Sequence, residues 1–445
     1  MSSNVPLPAS DVSGKLAGCL DDPGRVVLVQ DGESVTAGQI NTLASAFSDR
    51  RAKDAPQRLA IHAVRADTTL AALIAGLKTG SEILLLREVY PPNDPFWKDA
   101  GVAALFDRDL KLQHSWPAAI LSQQPAVLLT TSGTTGKPKV VVHAMGNLLG
   151  RVRAGQSGDR WLLSYHPASF AGLQVLLTAF CSKSTLVAFA GLSAAELVTR
   201  TLTSDVTHVS GTPTFWRALL LSQSTQGKRL PLRQITIGGE AVDQSTLDAL
   251  SGAFPDSRII HIYASTEAGA LFAVKDKRGG FPAAWLEEGI DGCRLRIVDG
   301  ILEVLSPRAM KGYLGGGAQG GFSADGWFIT GDLVTVTGDR VLFRGRTDSV
   351  INVGGGKVMP EQVEAALLEV PVVREARVYG VKNPIAGDVL AADVVLAEAV
   401  SEADARKAIF SALSARLEPY KVPRIYRFME KIPVNETGKK SRAGL

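Results

Sequence analysis

Short apolar and β-branched runs alternate with stretches of helical spacing along residues 126–263. The runs with strand character are AVLLTT, KVVVHA, RWLLSY, STLVAF, VTHVSG, QITIGG and RIIHIYA. The stretches with helical spacing are 170–181, 193–203, 213–222 and 243–254. Strand and helix in repeated succession predict a mostly parallel sheet that helices cover on both faces. Residues 25–89 show a weaker form of the same alternation.

After about residue 290 the hydrophobic period shortens to two. The segments RLRIVDGILEVLS and WFITGDLVTVTGDRVLFRGR carry D-G and G-D turns and predict antiparallel hairpins. Residues 349–445 predict a separate small α+β unit, with helices at 360–369 and 402–416 and strands near 375–396. The predicted fold class is therefore α/β: a large N-terminal domain of parallel-rich sheets covered by helices, with a β-rich subdomain, followed by a small α+β C-terminal domain.

Composition fits this picture, because 445 residues with 45% hydrophobic and 21% charged positions are typical of a multi-domain globular protein. The net charge of +4 is too small to indicate a nucleic-acid partner. Residues 421–445 alone carry seven Lys or Arg and two Glu, a net +5. This cationic tail is either a solvated surface or a contact for an anionic substrate.

Cys19, Cys181 and Cys293 are widely spaced and suit a reducing compartment, and the six histidines form no zinc-ligand pattern. The N-terminus lacks the basic-then-apolar order of a signal peptide. No stretch reaches the roughly 18 apolar residues of a membrane span. We therefore expect a cytoplasmic protein with no membrane partner.

The segment TSGTTGKPK, residues 131–139, combines hydroxyl side chains, glycines and lysines after a buried strand. Such a loop is either a solvated turn or a cradle for a polyphosphate, because small residues let an anion approach the backbone N–H groups. A Walker A loop is excluded by spacing, since it needs four residues between its glycines and Ser or Thr after its Lys. Here two residues separate Gly133 from Gly136, and Pro138 follows Lys137.

This segment resembles the phosphate loop of the adenylate-forming superfamily, which comprises acyl- and aryl-CoA synthetases, adenylation domains of nonribosomal peptide synthetases and firefly luciferases. Further segments resemble the motifs of that superfamily in the expected order. They are IGGEAV (237–242), IYASTEAG (262–269), SPRAMKGYL (306–314), GWFITGDL (326–333), FRGRTDSVINVGGGKVMPEQVE (343–364), LEPYKVPRIYRF (417–428) and IPVNETGKKSR (432–442). The resemblance extends from about residue 35 to the end of the chain.

The resemblance implies an adenylation domain at 1–347, which binds ATP and the acid, and a small mobile domain at 348–445. It implies Lys439, Glu267 and Thr266 as catalytic residues. Lys439 would stabilise charge at the α-phosphate and the attacking carboxylate. Glu267 would hold Mg²⁺, which one or two carboxylates usually bind together with phosphates and water. Thr266 would contact the phosphate.

The resemblance also implies the residues that hold ATP. The ring of Tyr263 would stack on adenine, Asp332 would accept from both ribose hydroxyls, and Arg346 would donate to one of them. The remaining nucleotide-binding residues implied by the motifs are Thr131, Ser132, Gly133, Thr134, Thr135, Gly136, Lys137, Lys139, Gly238, Gly239, Glu240, Ala264 and Ser265.

The second half of the implied reaction needs Lys439 to leave and a thiol to enter. The family achieves this by rotating its small domain, and Asp348 matches the hinge position. Residues 353–357 would then face the thioester site. Their three glycines either let pantetheine approach the backbone or form a flexible turn.

The acid pocket is where the chain departs from the family pattern. Ser169 stands where many acyl- and aryl-CoA ligases carry a histidine, and His166 lies one helical turn earlier. Residues 160–190 contain no Asp or Glu to pair with an α-ammonium group, which disfavours amino acids. The expected pocket, for an aryl or medium acyl acid, is lined by His166, Ser169, Phe170, Leu173, Val209 and Thr212.

The favoured function is an ATP- and Mg²⁺-dependent acid–thiol ligase that acts on a small carboxylic acid and CoA. One alternative is a stand-alone adenylation enzyme that loads the acid onto the phosphopantetheine of a carrier protein. Another is an inactive ligand-binding relative, which the presence of Lys439 and Glu267 disfavours. Either a monomer or a homodimer is expected.

Overall fold

The computed structural model describes residues 9–50, 56–117, 121, 125–131, 139–149, 155–156, 158–226, 230–314, 321–353, 356–383, 387–397 and 400–432. The helices of these residues are α1 Ala9–Ala17, α2 Ala37–Asp49, α3 Ala66–Thr79, α4 Pro95–Asp99, α5 Met145–Leu149, α6 Phe170–Cys181, α7 Ala194–Thr203, α8 Pro213–Gln226, α9 Gln244–Ala253, α10 Trp285–Glu288, α11 Pro360–Leu368 and α12 Glu402–Ser414. Two 3₁₀ turns span Thr347–Ser349 and Pro419–Lys421.

The strands up to residue 211 are β1 Val26–Gln30, β2 Glu33–Thr36, β3 Arg58–His62, β4 Glu82–Leu86, β5 Ala104–Phe106, β6 Leu112–Ser115, β7 Ala126–Thr131, β8 Lys139–Ala144, β9 Arg160–Leu162, β10 Thr185–Ala188 and β11 His208–Gly211. Those that follow are β12 Gln234–Gly238, β13 Arg258–Ser265, β14 Gly269–Val274, β15 Phe281–Pro282, β16 Arg294–Val298, β17 Ile301–Leu305, β18 Gly312–Tyr313, β19 Phe328–Thr337, β20 Arg340–Arg346, β21 Ile351–Val353, β22 Gly356–Val358, β23 Val373–Asn383, β24 Gly387–Leu396 and β25 Ile425–Phe428.

Two large sheets form the first part of the chain. One has eight strands in the order β14-β13-β12-β11-β9-β10-β1-β2, and its six inner strands are parallel. The other has seven strands in the order β18-β8-β7-β4-β3-β5-β6, with β7, β4, β3 and β5 parallel. Both are therefore parallel-rich sheets, as the alternation of strands and helices predicted.

The prediction of a single sheet over residues 126–263 is wrong. The runs AVLLTT and KVVVHA form an antiparallel pair, β7 and β8, in the seven-stranded sheet, whereas the later runs build the eight-stranded one. Only seven residues, 132–138, connect the two strands. A connection of that length joins antiparallel neighbours, because a parallel crossover needs about a dozen residues or more.

Helices cover both faces of the large sheets. A hydrophobic cluster between the sheets contains residues of α2, α3, α5 and α6 together with inward-facing residues of both sheets, such as Leu28 and Leu59. A second cluster packs α7, α8 and α9 on the outer face of the eight-stranded sheet. A third packs Trp97 of α4 on the outer face of the seven-stranded sheet. This layering agrees with the predicted α/β class.

Local capping fixes several of the predicted helix starts. Ser169 Oγ accepts from the backbone N–H of Gly172 at 2.9 Å and begins α6. Ser193 forms a capping box with Glu196 at the start of α7. A side-chain oxygen at the N-cap satisfies a backbone donor that the helix leaves free. All six predicted helices begin within one residue of their predicted positions: 170–181, 193–203, 213–222, 243–254, 360–369 and 402–416.

The β-rich subdomain is an antiparallel five-stranded sheet in the order β15-β20-β19-β17-β16. After it, β22-β21-β24-β23 and the parallel strand β25 form a last sheet against α11 and α12. Among the residues that the structure describes, the hydrophobic cluster of this last unit draws only on those between Ile351 and Phe428. The boundary between 347 and 348 remains a prediction. No helix among the described ranges combines the length and apolar character that a membrane crossing needs.

Candidate active site

The end of β12 and the loop after it carry the residues predicted beside adenine. Gly239 has a φ of 83°, and a Cβ on Gly238 would lie 3.1 Å from the carbonyl oxygen of Ile262. Both positions therefore favour glycine. Glu240 Oε2 accepts from the Thr214 hydroxyl at 2.8 Å and from its backbone N–H at 3.3 Å, which fixes this loop to the start of α8.

Tyr263 lies near the end of β13, where the ladder to β14 is irregular. Its hydroxyl donates to Asp332 Oδ2. Its ring packs against Phe272 and Phe343, with centroid distances of 5.2 and 4.9 Å. Burial raises the pKa of Tyr263 well above its usual value, so the phenol stays protonated and remains a donor. Stacking of this ring on adenine stays a prediction.

Asp332 and Arg346 are direct partners across the antiparallel pair β19–β20. Arg346 Nη1 donates to Asp332 Oδ1 at 3.0 Å, and its Nε donates to Asp348 Oδ1 at the same distance. Gly331 makes room for this side chain, because a Cβ there would lie 3.2 Å from Arg346 Nη2. Each oxygen of Asp332 has a second lone pair, so the carboxylate could still accept from a vicinal diol.

The turn after β13 carries Ser265, Thr266 and Glu267. Ser265 Oγ accepts from the backbone N–H of Ala268 at 2.9 Å, and Ala264 pairs with Ala270 of β14. These contacts fix the backbone of the turn and leave the Thr266 hydroxyl as a predicted phosphate contact.

The side chain of Glu267 is oriented by a residue from a distant segment. Tyr313 of β18 donates from its hydroxyl to Glu267 Oε1 at 3.3 Å, and the backbone carbonyl of Glu267 accepts from Met310 at 2.8 Å. Lys139 places its Nζ 5.1 Å from the centroid of the Tyr313 ring. Burial and the charge of Glu267 raise the pKa of Tyr313 to about 12, which keeps it a donor. Tyr313 therefore connects the predicted Mg²⁺ ligand with the end of the phosphate loop.

The phosphate loop joins two strands that pair along their whole length. Thr131 and Lys139 face each other in the ladder between β7 and β8 and form the base of the loop. Ser132, Gly133, Thr134, Thr135, Gly136 and Lys137 lie outside the described residues, as does Lys439. Their predicted roles are untested.

His143 on β8, which the sequence did not single out, contacts the turn that carries the predicted catalytic residues. It is fully buried, and its Nε2 lies 2.6 Å from the backbone carbonyl oxygen of Thr266. Burial lowers the pKa of His143 to about 4, so the ring is neutral. A signal was available, because period-two spacing places His143 on the same strand face as the buried Val141.

The six residues predicted to line the acid pocket do not form one cluster. Phe170 and Leu173 belong to the hydrophobic cluster between the two large sheets, whereas Val209 belongs to the cluster under α7, α8 and α9. Thr212 Oγ1 accepts from the backbone N–H of Phe215 at 3.1 Å. Ser169 also caps a helix, so both hydroxyls have local structural roles.

His166 lies beside the capped start of α6. Its carbonyl oxygen would be 2.1 Å from a Cβ on Gly172, which makes glycine necessary at this close approach. Burial, together with the nearby charges of Arg87 and His62, lowers the pKa of His166 to about 4. His166 is thus neutral at physiological pH, and its place in the acid pocket stays a prediction.

The predicted hinge residue Asp348 lies in a 3₁₀ turn and forms an ion pair with Arg346. On the far side of the turn, Ser349 donates to Glu361 Oε1 of α11 at 3.2 Å. A Cβ on Gly345 would lie 2.7 Å from Glu361 Oε2, so β20 and α11 approach closely at this position. Asp348 therefore lies between Arg346, predicted to bind the ribose, and α11, the first helix of the last unit.

Comparison with known proteins supports the resemblance drawn from the motifs. The profile of the AMP-binding enzyme family matches residues 49–314, which is more than half of the chain. The chain belongs to that family. The profile of the C-terminal domain of AMP-binding enzymes matches residues 362–439. The predicted superfamily is thus confirmed, and so is the prediction of an AMP-forming synthetase.

Curated relatives in this family include several CoA ligases. A 2-succinylbenzoate–CoA ligase of Bacillus licheniformis is 30% identical over 71% of this chain and 69% of its own length. A probable 2-succinylbenzoate–CoA ligase of Mycobacterium tuberculosis is 28% identical over 83% of this chain and 96% of its own length. A probable non-canonical nonribosomal peptide synthetase, CymA of Salinispora arenicola, is 29% identical over 80% of this chain, which spans 5% of that protein.

Solved structures of the same superfamily share the fold. The anthranilate CoA ligase AuaEII in complex with anthranoyl-AMP superposes with a TM-score of 0.81 at 19% identity, over 98% of this chain and 97% of the other. The o-succinylbenzoate CoA synthetase MenE of Bacillus subtilis, in complex with its acyl-adenylate intermediate, gives 0.71 at 22% identity, over 96% of both chains. These likenesses confirm the α/β architecture with a large and a small domain.

Proposed function

We propose that this enzyme is an ATP-dependent acid–thiol ligase that forms an acyl-adenylate and then an acyl-CoA thioester. The single observation that carries the proposal is the hydrogen-bond network of Tyr263, Asp332 and Arg346. Tyr263 lies close in sequence to Glu267, which accepts from Tyr313. Asp332, the proposed ribose-binding carboxylate, and Glu267, the proposed carboxylate beside the phosphates, thus both lie next to β13. The CoA ligases among the relatives support the thiol half of the proposal.

In the first half-reaction a carboxylate oxygen attacks the α-phosphorus of ATP, and pyrophosphate leaves. Asp332 and Arg346 orient the ribose, and the hairpin between β7 and β8 presents the phosphate loop. Lys139 adds positive charge at the base of that loop. Positioning and charge neutralisation supply most of the acceleration in such phosphoryl chemistry.

Glu267 fits a Mg²⁺ site, because Tyr313 occupies Oε1 and Oε2 has no hydrogen-bond partner among the described residues. Mg²⁺ bound there would neutralise phosphate charge while keeping water and phosphate oxygens as its other ligands. Tyr313 keeps the Glu267 carboxylate oriented before the nucleotide enters.

In the second half-reaction the thiol sulfur attacks the acyl carbon, AMP leaves and the thiol loses its proton. Lys439 must leave the site first, and Asp348 is the proposed hinge. A short 3₁₀ turn at Thr347–Ser349 separates β20 from β21. The hydrophobic core of the β-rich subdomain lies before it and that of the last unit after it, which supports a rotation at this turn.

The acid is an aryl or medium acyl acid. Phe170 and Leu173 supply an apolar helix face, and the absence of Asp or Glu from residues 160–190 leaves no partner for an α-ammonium there. The acids named for the relatives, 2-succinylbenzoate, 4-chlorobenzoate and anthranilate, are all aromatic.

Transfer to a carrier protein is the second candidate, and the similarity to CymA is the observation that favours it. Adenylation is common to both candidates, so the test must separate the acceptors. The purified protein is screened for pyrophosphate release with aryl, acyl and amino acids, each alone, with CoA and with a phosphopantetheinylated carrier protein. We expect aryl acids to release pyrophosphate and mass spectrometry to detect an acyl-CoA. Release of pyrophosphate with a thioester only on the carrier would establish the second candidate, and no release with any acid would refute both.

A further inference from the structure

His143 carries a buried nitrogen whose hydrogen-bonding capacity is unused. The Thr266 carbonyl can only accept, so His143 Nε2 must carry the proton and donate to it at 2.6 Å. Burial lowers the pKa of the ring to about 4, so the ring carries one proton only. Nδ1 is then a lone-pair acceptor, and it has no hydrogen-bond partner among the residues that the structure describes.

The surroundings of this nitrogen connect both sides of the proposed reaction centre. The His143 ring packs against Phe170, with centroids 5.4 Å apart, at the start of the apolar helix proposed to face the acid. Its other nitrogen contacts the residue directly before Glu267. In the function proposed above, an acid held against Phe170 and activated beside Glu267 would therefore lie close to His143.

An unsatisfied buried acceptor is costly in a native protein, and such groups usually have a functional explanation or an unseen partner. On the basis of the function proposed above, we propose that His143 Nδ1 accepts a hydrogen bond from the acid substrate. The acid then carries a hydroxyl or amino donor on its ring or chain, besides the carboxylate that is adenylated. His143 is thus a specificity-determining residue, and Thr266 fixes its tautomer.

The test compares acids that differ only in this donor. Hydroxy-, amino- and methylbenzoic acids substituted at each ring position form matched sets of similar size, and kcat/KM for pyrophosphate release is measured for each. We expect the wild type to prefer a donor-bearing acid over its methyl counterpart by about tenfold or more at one ring position, because a site built for a hydrogen bond rejects analogues that lack it.

Two substitutions separate the hydrogen bond from packing. His143→Phe keeps a ring but removes both nitrogens, and we expect the preference for the donor to disappear. His143→Gln offers an amide that can donate to Thr266 and accept from the acid, and it should restore part of the preference. His261→Phe is the matched control, because His261 is also buried and its Nε2 has no hydrogen-bond partner within the described part of the chain. The preference should persist in that variant.

Binding of acyl-sulfamoyl-adenosine analogues, measured by calorimetry, supplies a readout independent of turnover. The hydroxy analogue should lose affinity in His143→Phe while the methyl analogue does not. Two results would overturn this inference and leave the proposed function intact. One is pyrophosphate release by the wild type with no preference for the donor-bearing acid, and the other is a preference that survives His143→Phe. If no acid releases pyrophosphate, the proposed function and the inference both fail.

Discussion

Asp332 and Arg346 face each other across two antiparallel strands, and Arg346 donates to Asp332 over 3.0 Å. The same carboxylate accepts from Tyr263, which lies 69 positions earlier in the chain. Three strands of two different sheets thus converge on one carboxylate, which is oriented before any nucleotide binds.

We expect Asp332→Asn to weaken nucleotide binding on the order of tenfold or more, because hydrogen bonds to a charged acceptor are stronger than those to a neutral amide. Calorimetric titration with AMP measures this effect. Asp339→Asn is the matched control, since Asp339 accepts from Arg278 at 2.8 Å on the exposed turn between the same two strands. Equal losses in both variants would contradict the role of Asp332 in the site.

The same substitution should not destabilise the fold at neutral pH. Burial raises the pKa of Asp332 in the folded state, so ionisation costs the folded protein more than the unfolded chain. This cost is absent below the ordinary pKa of an aspartate and grows as pH rises through the raised value. Urea unfolding of the wild type and Asp332→Asn from pH 4 to 8 should show the variant gaining relative stability with pH. A variant that loses stability as pH rises would argue against burial as the dominant effect.

Tyr313→Phe should raise the KM for Mg·ATP about three- to tenfold, because Glu267 loses the hydroxyl that orients it. A double-mutant cycle with Glu267→Gln tests whether the effect passes through that carboxylate. We expect Tyr313→Phe to have little further effect in the Glu267→Gln background. Fully additive effects would mean that Tyr313 acts through another contact.

Lys439→Ala should abolish acyl-adenylate formation by the intact enzyme while a preformed acyl-adenylate still reacts with the thiol. The reason is that, in the proposed mechanism, the lysine stabilises charge at the α-phosphate only in the first half-reaction. Isotope exchange between pyrophosphate and ATP measures the first step, and thioester formation from synthetic adenylate measures the second. Lys440→Ala is the neighbouring control and should retain both. Equal losses of both steps in Lys439→Ala would remove its assigned role.

Asp348→Pro should spare adenylation and slow thioester formation, because proline fixes φ where the domain rotation needs freedom. Asp348→Ala is the control, since it breaks the ion pair with Arg346 without restricting the backbone. We expect the alanine variant to complete both steps. Normal thioester formation by the proline variant would place the hinge elsewhere.

Some features of the site could be predicted from the sequence, and others depend on the tertiary structure. The family resemblance, which rests on the order of the motifs, implied Glu267, Asp332 and Arg346 as candidates. Hydrophobic spacing predicted helices such as Phe170–Cys181 and Pro360–Leu368 closely. Capping residues and apolar periodicity act over a few positions, so a local pattern carries that information. The family resemblance added the roles, which the spacing of the residues could not supply.

Tertiary structure alone decided how these elements meet. It placed β7 and β8 in the other large sheet, put Leu173 and Val209 in different hydrophobic clusters, and brought Tyr313 to Glu267 and His143 to Thr266. Strand periodicity determines which side chains share a face but not which sheet the strand joins. That choice depends on pairings between residues far apart in the chain, such as Val127 with Ile83 and Val142 with Gly312. The short 132–138 connection indicates that β7 and β8 are antiparallel neighbours but not which sheet they join.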